Sequence, residues 1–260
     1  MKDTVLPKRL MISISGGVQG IGAIVRHLLL AATVTLLAAV PCVDAAGELD
    51  PLNLSLSYNS FVMATAVQPD GKMIIAGRFS SVLGVPRSNI ARINADGTLD
   101  TGFDPKVGGD VYCVAVQGDG KVMIGGGFSQ LQPNGAYIPT SRQNIARVNA
   151  DGTLDTGFTL SANSYVFSLA VQADGKALIG GVFTSPRPYI ARVNTDGSLD
   201  AGFYATANNY VSSVAVQGDG RVLLGGFFTA PRQYLRPAPR WNSLSPGSYS
   251  IRSALLTFAF

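Results

Sequence analysis

The side chains that could do chemistry in this chain are few. It has one histidine, His27, one glutamate, Glu48, and two cysteines, Cys42 and Cys113; every other acid is an aspartate. His27 lies in the N-terminal segment, so the rest of the chain has no imidazole for a Ser-His-Asp relay or a histidine-ligated metal. A glycosidase-type carboxylate pair would need two aspartates. Most of these recur, however: Asp70, Asp119, Asp174 and Asp219, and again Asp96, Asp151 and Asp196, each precede a glycine, while Asp100, Asp155 and Asp200 each follow an arginine by eight residues. A residue needed once for catalysis has no reason to appear in every repeat. That leaves Asp104 and Asp110 as non-repeated acids. The Asn-x-Asp-Gly-x-Leu-Asp stretches from Asn94, Asn149 and Asn194 offer oxygen ligands for calcium. A calcium loop places more carboxylates at alternate positions, and these residues are also those of a plain hairpin turn.

Cys113 aligns with Ala64, Ser168 and Ser213 in parallel stretches, a slot for small residues that predicts a packed, inert thiol. We therefore expect no catalytic residue, no metal ligand and no cofactor-binding residue, and a chain that is not an enzyme. The alternative function class is a secreted hydrolase with an aspartate-based site on one face of the fold.

The elements that hold these residues follow from two alternating motifs. The first is VMATAVQPDGKMIIAGRF from Val62, with copies from Val111, Val166 and Val211; the second is IARINADGTLDTGF from Ile90, with copies from Ile145 and Ile190. Val67, Val116, Val171 and Val216 mark a period of 49, 55 and 45 residues, the size of one supersecondary unit. Each first motif is two apolar β-rich runs around an Asp-Gly turn, which predicts an inner hairpin buried on both faces. Each second motif alternates, Ala146 and Val148 against Arg147 and Asn149, then Leu154, Thr156 and Phe158 against Asp155 and Gly157. That predicts a half-buried outer hairpin with a cross-strand Arg147–Asp155 pair in every copy. Four strands per unit describe a β-propeller blade. The expected fold is all-β, a propeller-like array of about three to four four-stranded blades, incomplete or closed by a remote strand.

The paired motifs, VAVQxDGKxxxGGxF and IARxNxDGxLDxxF, resemble the delta-60 repeat family of predicted β-propellers. The resemblance covers about residues 47 to 228 and implies an exported bacterial protein with no assigned biochemical activity. A second resemblance is discounted: SGGVQGIG, Ser15 to Gly22, is similar to the glycine-rich turn of short-chain dehydrogenases, but no βαβ unit follows it.

Residues 1–46 are expected to be a signal peptide. Arg26 precedes the apolar run Leu28 to Val40, and Val43 and Ala45 supply small residues for cleavage. An uncleaved anchor is the alternative, although the run is short of the roughly 20 apolar residues that span a bilayer. Pro41 argues against lipid attachment at Cys42. Without the leader the net charge falls from +4 to +2, which removes the case for a nucleic-acid partner. Cys113 then stands alone, so packing and not an internal disulfide must hold the chain together. Residues 47–242 form the repeat domain. Residues 243–260 are read as a degenerate or truncated tail, since Pro237 and Pro239 interrupt the next expected strand and SALLTFAF could pair along a sheet edge.

The connections between hairpins, Ser80–Asn89, Ser129–Asn144 and Thr184–Tyr189, vary most in length. In repeat folds such insertions collect on one face, often the binding face. The longest, Gln130–Arg142, nominates Gln130, Asn134, Tyr137 and Arg142 for contact with a protein or glycan partner, Tyr and Arg being types enriched at interface hot spots. The chain is thus expected to be a secreted or envelope module with no stable membrane anchor after leader removal.

Overall fold

A computed structural model describes residues 53–229, 232–233 and 254–258. The expected leader and most of the C-terminal tail lie outside the described residues. The first blade contains β1 (Phe61–Val67), β2 (Met73–Arg78) and β5 (Ile90–Ile93), with a small hairpin, β3 (Ser81–Val82) and β4 (Val85–Pro86), in its connection. The second contains β6 (Val107–Val116), β7 (Val122–Leu131), β8 (Thr140–Ser141) and β9 (Ile145–Val148). The third contains β10 (Val166–Val171), β11 (Ala177–Gly181) and β12 (Ile190–Val193). The fourth contains β13 (Ala205–Thr206), β14 (Val211–Val216), β15 (Val222–Gly226), β16 (Arg232–Gln233) and β17 (Ala254–Phe258). Antiparallel sheets run β1-β2-β5, β6-β7-β9, β10-β11-β12 and β14-β15-β17, and β1, β6, β10 and β14 pack against one another in sequence order as the innermost strands. The fold is an all-β propeller array that is not closed among the described residues.

Each first motif turns as Gln68 to Lys72 does. The Gly71 amide donates to the Gln68 carbonyl at 3.0 Å, the Gln68 amide donates to the Lys72 carbonyl at 2.8 Å, and Gly71 takes φ +81. This is a type I turn closed by a left-handed glycine, which explains Asp-Gly in every copy.

The fourth strand of each of the first three blades is shorter than the alternation predicts. It is reduced to single bridges, Ile93 to Leu99, Val148 to Leu154 and Val193 to Leu199. The Asp155 carboxylate accepts the Gly157 amide at 3.0 Å and the Asp155 carbonyl accepts the Phe158 amide at 3.2 Å, so the chain turns directly after Leu154. Phe158 is thereby swung into the core. The outer strand is also more buried than expected: all four residues of β9 are buried, Arg147 included.

A bulge interrupts every inner strand, between Val62 and Ala64, Val111 and Cys113, Val166 and Ser168, and Val211 and Ser213. It presses a carbonyl toward the middle strand. A Cβ on Gly126 would lie 2.1 Å from the Asp110 carbonyl oxygen, and Gly77, Gly181 and Gly226 meet the same obstacle. This close approach accounts for the second glycine of each Gly-Gly pair.

Successive residues of each middle strand serve opposite interfaces. Ile124 packs with Ile74 and Ile90 of the first blade, whereas Met123 packs with Val166 and Ile179 of the third. Leu178 and Ile190 pack with Val211 and Val214 of the fourth. Cys113 is buried in the second of these layers, where its sulfur lies 3.7 Å from the Val166 carbonyl and burial pushes its thiol pKa up. The tail strand β17 pairs with β15 so that Leu255 stands opposite Gly225, the register Ile145 holds opposite Gly125.

Candidate functional site

The repeated charges form clamps inside the scaffold. Asp155 Oδ2 accepts Arg147 Nε at 2.8 Å and Lys121 Nζ at 2.9 Å, and the Arg147 guanidinium lies over the Phe158 ring at 5.1 Å from its centroid. Arg147 Nη1 also donates to the Thr195 carbonyl, in the outer turn of the third blade, at 2.6 Å. Asp100 holds Lys72 and Arg92 in the same way, and Asp200 holds Lys176 and Arg192. The arginine pair is the one the alternation predicts; the lysine comes from the first motif of the same blade. Burial acts to raise the Asp155 pKa, but the hydrogen bonds from Lys121 and Arg147 outweigh it and hold the carboxyl below its usual range. The turn acids are engaged as well. Thr98, Thr153 and Ser198 donate hydroxyl and amide to Asp96, Asp151 and Asp196 and lower their pKa values. Among the described residues, no group of three or more His, Cys, Asp or Glu side chains is placed to hold a metal ion.

A different set of residues breaks the repeat. The position before each bulge holds Phe61, Asp110, Tyr165 and Tyr210, and the bulged position holds Met63, Tyr112, Phe167 and Ser212. Opposite them, at the middle-strand ends, stand Arg78, Gly127, Val182 and Phe227. These side chains form a strip along consecutive blades. Arg78 Nε donates to Asp110 across the first two blades at 2.9 Å. Tyr112 meets Tyr165 edge-on, with ring centroids 5.9 Å apart, and both contact Phe167 at 5.9 and 6.3 Å. Gly127 leaves the space these rings fill, since a Cβ there would lie 3.0 Å from Tyr165 and 3.1 Å from the Tyr112 hydroxyl. Tyr210 and Phe227 pair at 4.8 Å. Phe61 and Tyr165 remain 45% and 47% exposed, enough to present ring surface to a partner. Burial, and then the Asp110 charge, raises the Tyr112 pKa.

The strip shares its face with the variable connections. The Asn163 side chain accepts the Thr184 and Ser185 amides, Asn208 accepts the Thr229 amide and Ser57 accepts the Ser80 amide, tying each strand entry to the connection beside it. A shallow recess lined by Ser57, Tyr58, Arg78 and Ser88 opens at the first-blade end. The Asp-Gly turns lie at the other end of the strands.

The four residues nominated from the longest connection are on this face but do not converge. Gln130 is an exposed residue of β7, paired with Ser141 of β8. Asn134 takes φ +50 in a 3-10 turn (Pro133–Gly135); its amide donates to the Asp104 carbonyl at 2.8 Å and its side chain accepts the Asp104 amide. Tyr137 is 95% exposed at the tip beside Ile138, and Arg142 is half-buried with Nη1 on the Ser141 carbonyl. The connection is also more structured than a free loop, because Leu131 is fully buried in the core between the first two blades. Of the two non-repeated acids, Asp110 is held by Arg78, and Asp104 lies 3.7 Å from Lys106 and 4.0 Å from Arg87. The aromatic strip escapes a reading of motifs because its residues differ between copies. Its signal is the change from Met63 to Tyr112, Phe167 and Ser212 beside otherwise repeated neighbours.

Residues 68–103, 117–158 and 172–203 match the model of a family described as a domain of unknown function (DUF5122) beta-propeller. No curated protein matches the chain. Among solved structures, the chain is similar to the WD40 beta propeller domain of Doa1, at 16% identity and a TM-score of 0.45, covering 65% of this chain and 48% of that one. It is also similar to the extracellular domain of the hybrid two-component system BT3049 from B. thetaiotaomicron, at 15% identity and a TM-score of 0.42, covering 73% and 25%. A third is the PQQ-bound aldose sugar dehydrogenase from Streptomyces coelicolor, at 17% identity and a TM-score of 0.41, covering 67% and 58%. The chain spans less than two thirds of the length of each of them. Among the described residues no helix is long and apolar enough to cross a membrane.

Proposed function

We propose that this β-propeller array is a non-catalytic interaction module, exported through residues 1–46, that binds a protein or glycan partner at the cell surface with its bulged face. One observation carries the reading: side chains that vary between near-identical blades gather in one strip, Arg78–Asp110 followed by Tyr112, Tyr165, Phe167, Tyr210 and Phe227. A scaffold that repeats its turns and clamps while varying this strip separates folding from recognition. The resemblance to delta-60 repeats agrees with export and supplies no activity. The half-exposed rings of Phe61 and Tyr165, with Phe167 buried behind Tyr165, suit a sugar face or a peptide surface at small entropic cost. Tyr137 and Ile138, from the longest connection, extend the same face.

The test is a binding screen of the purified chain against surface glycans and envelope proteins, followed by Tyr165→Ala on any ligand found. A hot-spot tyrosine costs 2 kcal/mol or more on truncation, about 30-fold in affinity. Tyr165→Ala should lose at least that while unfolding moves by only the ~1 kcal/mol of a ring contact. Unchanged affinity would move the site off the strip. Hydrolysis by the purified chain, abolished by Asp104→Asn or Asp110→Asn with folding intact, would establish the hydrolase class instead.

A further inference from the structure

Charge is divided between the two ends of the strands. The bulged end holds Arg78 at the close of β2, Arg87, Arg142 and Arg187 in the connections, and Lys106, whose carbonyl accepts the Gln132 amide of the longest connection. Against these stand two carboxylates, Asp104 and Asp110. The other described aspartates lie in the Asp-Gly turns or in the clamps. Both carboxylates of the bulged end are recessed: each side chain is 17% exposed, against 60% for Arg78 and 39% for Lys106. A ligand approaching this end meets cations first, which favours an anion.

Arg78 does more than balance Asp110. Its Nε and Nη2 donate to the Asp110 carboxylate, a side-on pairing that fixes the plane of the guanidinium. Nη1 has no partner among the described residues, so the edge formed by Nη1 and the second N–H of Nη2 is left as a second fork. Two parallel N–H donors in that geometry match a planar carboxylate. Arg78 also lines the recess at the first-blade end, which has a volume of about 300 Å3, and the walls beside it are mostly hydroxyls and amides, among them Tyr58, Asn59, Ser60, Ser80 and Ser88. Phe61 stands directly opposite Arg78 across β1 and β2 and keeps its ring half-exposed. A fork for a carboxylate, hydroxyls that exchange hydrogen bonds and a ring face beside them complement a sugar acid. A peptide hot spot asks instead for an apolar pocket, whereas these walls are polar.

We propose that the strip binds a carboxylated glycan, with a uronate carboxylate on the free edge of Arg78, sugar hydroxyls in the recess and a ring face on Phe61. This rests on the bulged face being the binding face, as proposed above, and names the class of its ligand.

Calorimetric titration of the purified full chain tests this with uronate oligosaccharides, oligogalacturonate and alginate oligomers, and two controls. The methyl ester of oligogalacturonate keeps the ring and loses the charge; polyaspartate keeps the charge and lacks the ring. At least one uronate should bind about 10-fold or more tightly than either control, and less tightly as salt rises. Arg78→Lys keeps the charge but replaces the fork with a point donor, and should weaken binding about 10-fold, as should Phe61→Ala. Arg221→Met removes a cation at the Asp-Gly end and should change nothing. Circular dichroism and Tm of each variant check that it is folded. Acid and ester bound equally well would overturn the proposal while leaving the face a glycan site, and preference for polyaspartate would overturn it in favour of an acidic protein partner. Binding that Arg78→Lys and Phe61→Ala leave intact, or that Arg221→Met weakens as much, overturns it as well. So does the absence of uronate binding at about 1 mM; the broader reading then rests on Tyr165→Ala with the ligand found in the screen.

Discussion

Replacing Arg147 with methionine should cost more stability than any other single change in a charged side chain of the second blade. Its side chain is almost fully buried and joins four groups: the Asp155 carboxylate at 2.8 Å, the Thr195 carbonyl at 2.6 Å, Gln117 Oε1 at 3.5 Å and the Phe158 ring. Methionine keeps the contact with the ring but leaves the Thr195 carbonyl unpaired and Asp155 with Lys121 and the Gly157 amide. A hydrogen bond to a charged group contributes about 1.5–3 kcal/mol, and removing one partner of a buried ion pair costs about 3–5 kcal/mol. Because Lys121 still neutralises Asp155, the low end applies, and we expect a loss of about 3 kcal/mol. In urea, with a slope near 2 kcal/mol/M, that lowers the midpoint by about 1.5 M. Arg221→Met is the control: its partner Asp219 is half exposed, and the change should stay within about 0.5 kcal/mol. Lys121→Met, one third exposed, should cost about 1 kcal/mol and couple to Arg147 in a double-mutant cycle. If Arg147→Met costs under 1 kcal/mol, or no more than Arg221→Met, the clamps are surface pairs and the structural assignment of the repeated acids fails.

Acid should destabilise the fold in a defined window. Asp96, Asp100, Asp151, Asp155, Asp196 and Asp200 have folded pKa values below their usual range, so their contribution is complete above the unfolded value of about 3.9 and is lost as pH falls through the folded values. The Tm should therefore fall steeply below about pH 4; a Tm at pH 2.5 equal to that at pH 5 would contradict it. The bulge predicts that Gly126→Ala, whose Cβ meets the Asp110 carbonyl at 2.1 Å, loses at least 2 kcal/mol in chemical denaturation. Gly118→Ala, with no atom within 4 Å and Pro69 and Ala173 at the same place in other copies, should be neutral or gain a few tenths.

Three of the sequence inferences needed tertiary correction. Alternation through Leu154, Thr156 and Phe158 imitates a strand, yet Asp155 folds back on the Gly157 amide and ends the pairing after one bridge. Side-chain hydrogen bonding of this kind competes with a ladder and leaves the same pattern of residue types. Arg147 alternates with apolar neighbours and so reads as solvent-facing, but the outer turn of the next blade covers it. The longest connection is likewise anchored by Leu131 and by Asn134 against Asp104, which its composition alone does not disclose.

The sequence by itself determined the unit, its hairpins and the pairing of Arg147 with Asp155, because period, Asp-Gly turns and two-residue alternation act over a few residues and repeat in each copy. It also showed that most of the aspartates belong to the repeat, Asp104 and Asp110 excepted. Only the tertiary structure decided what the exceptions do. Phe61, Arg78, Asp110, Tyr112, Tyr165 and Phe167 lie 11 or more residues apart in most pairings along the chain and become neighbours because bulges at the same place in each inner strand bring their positions to one end of adjacent blades.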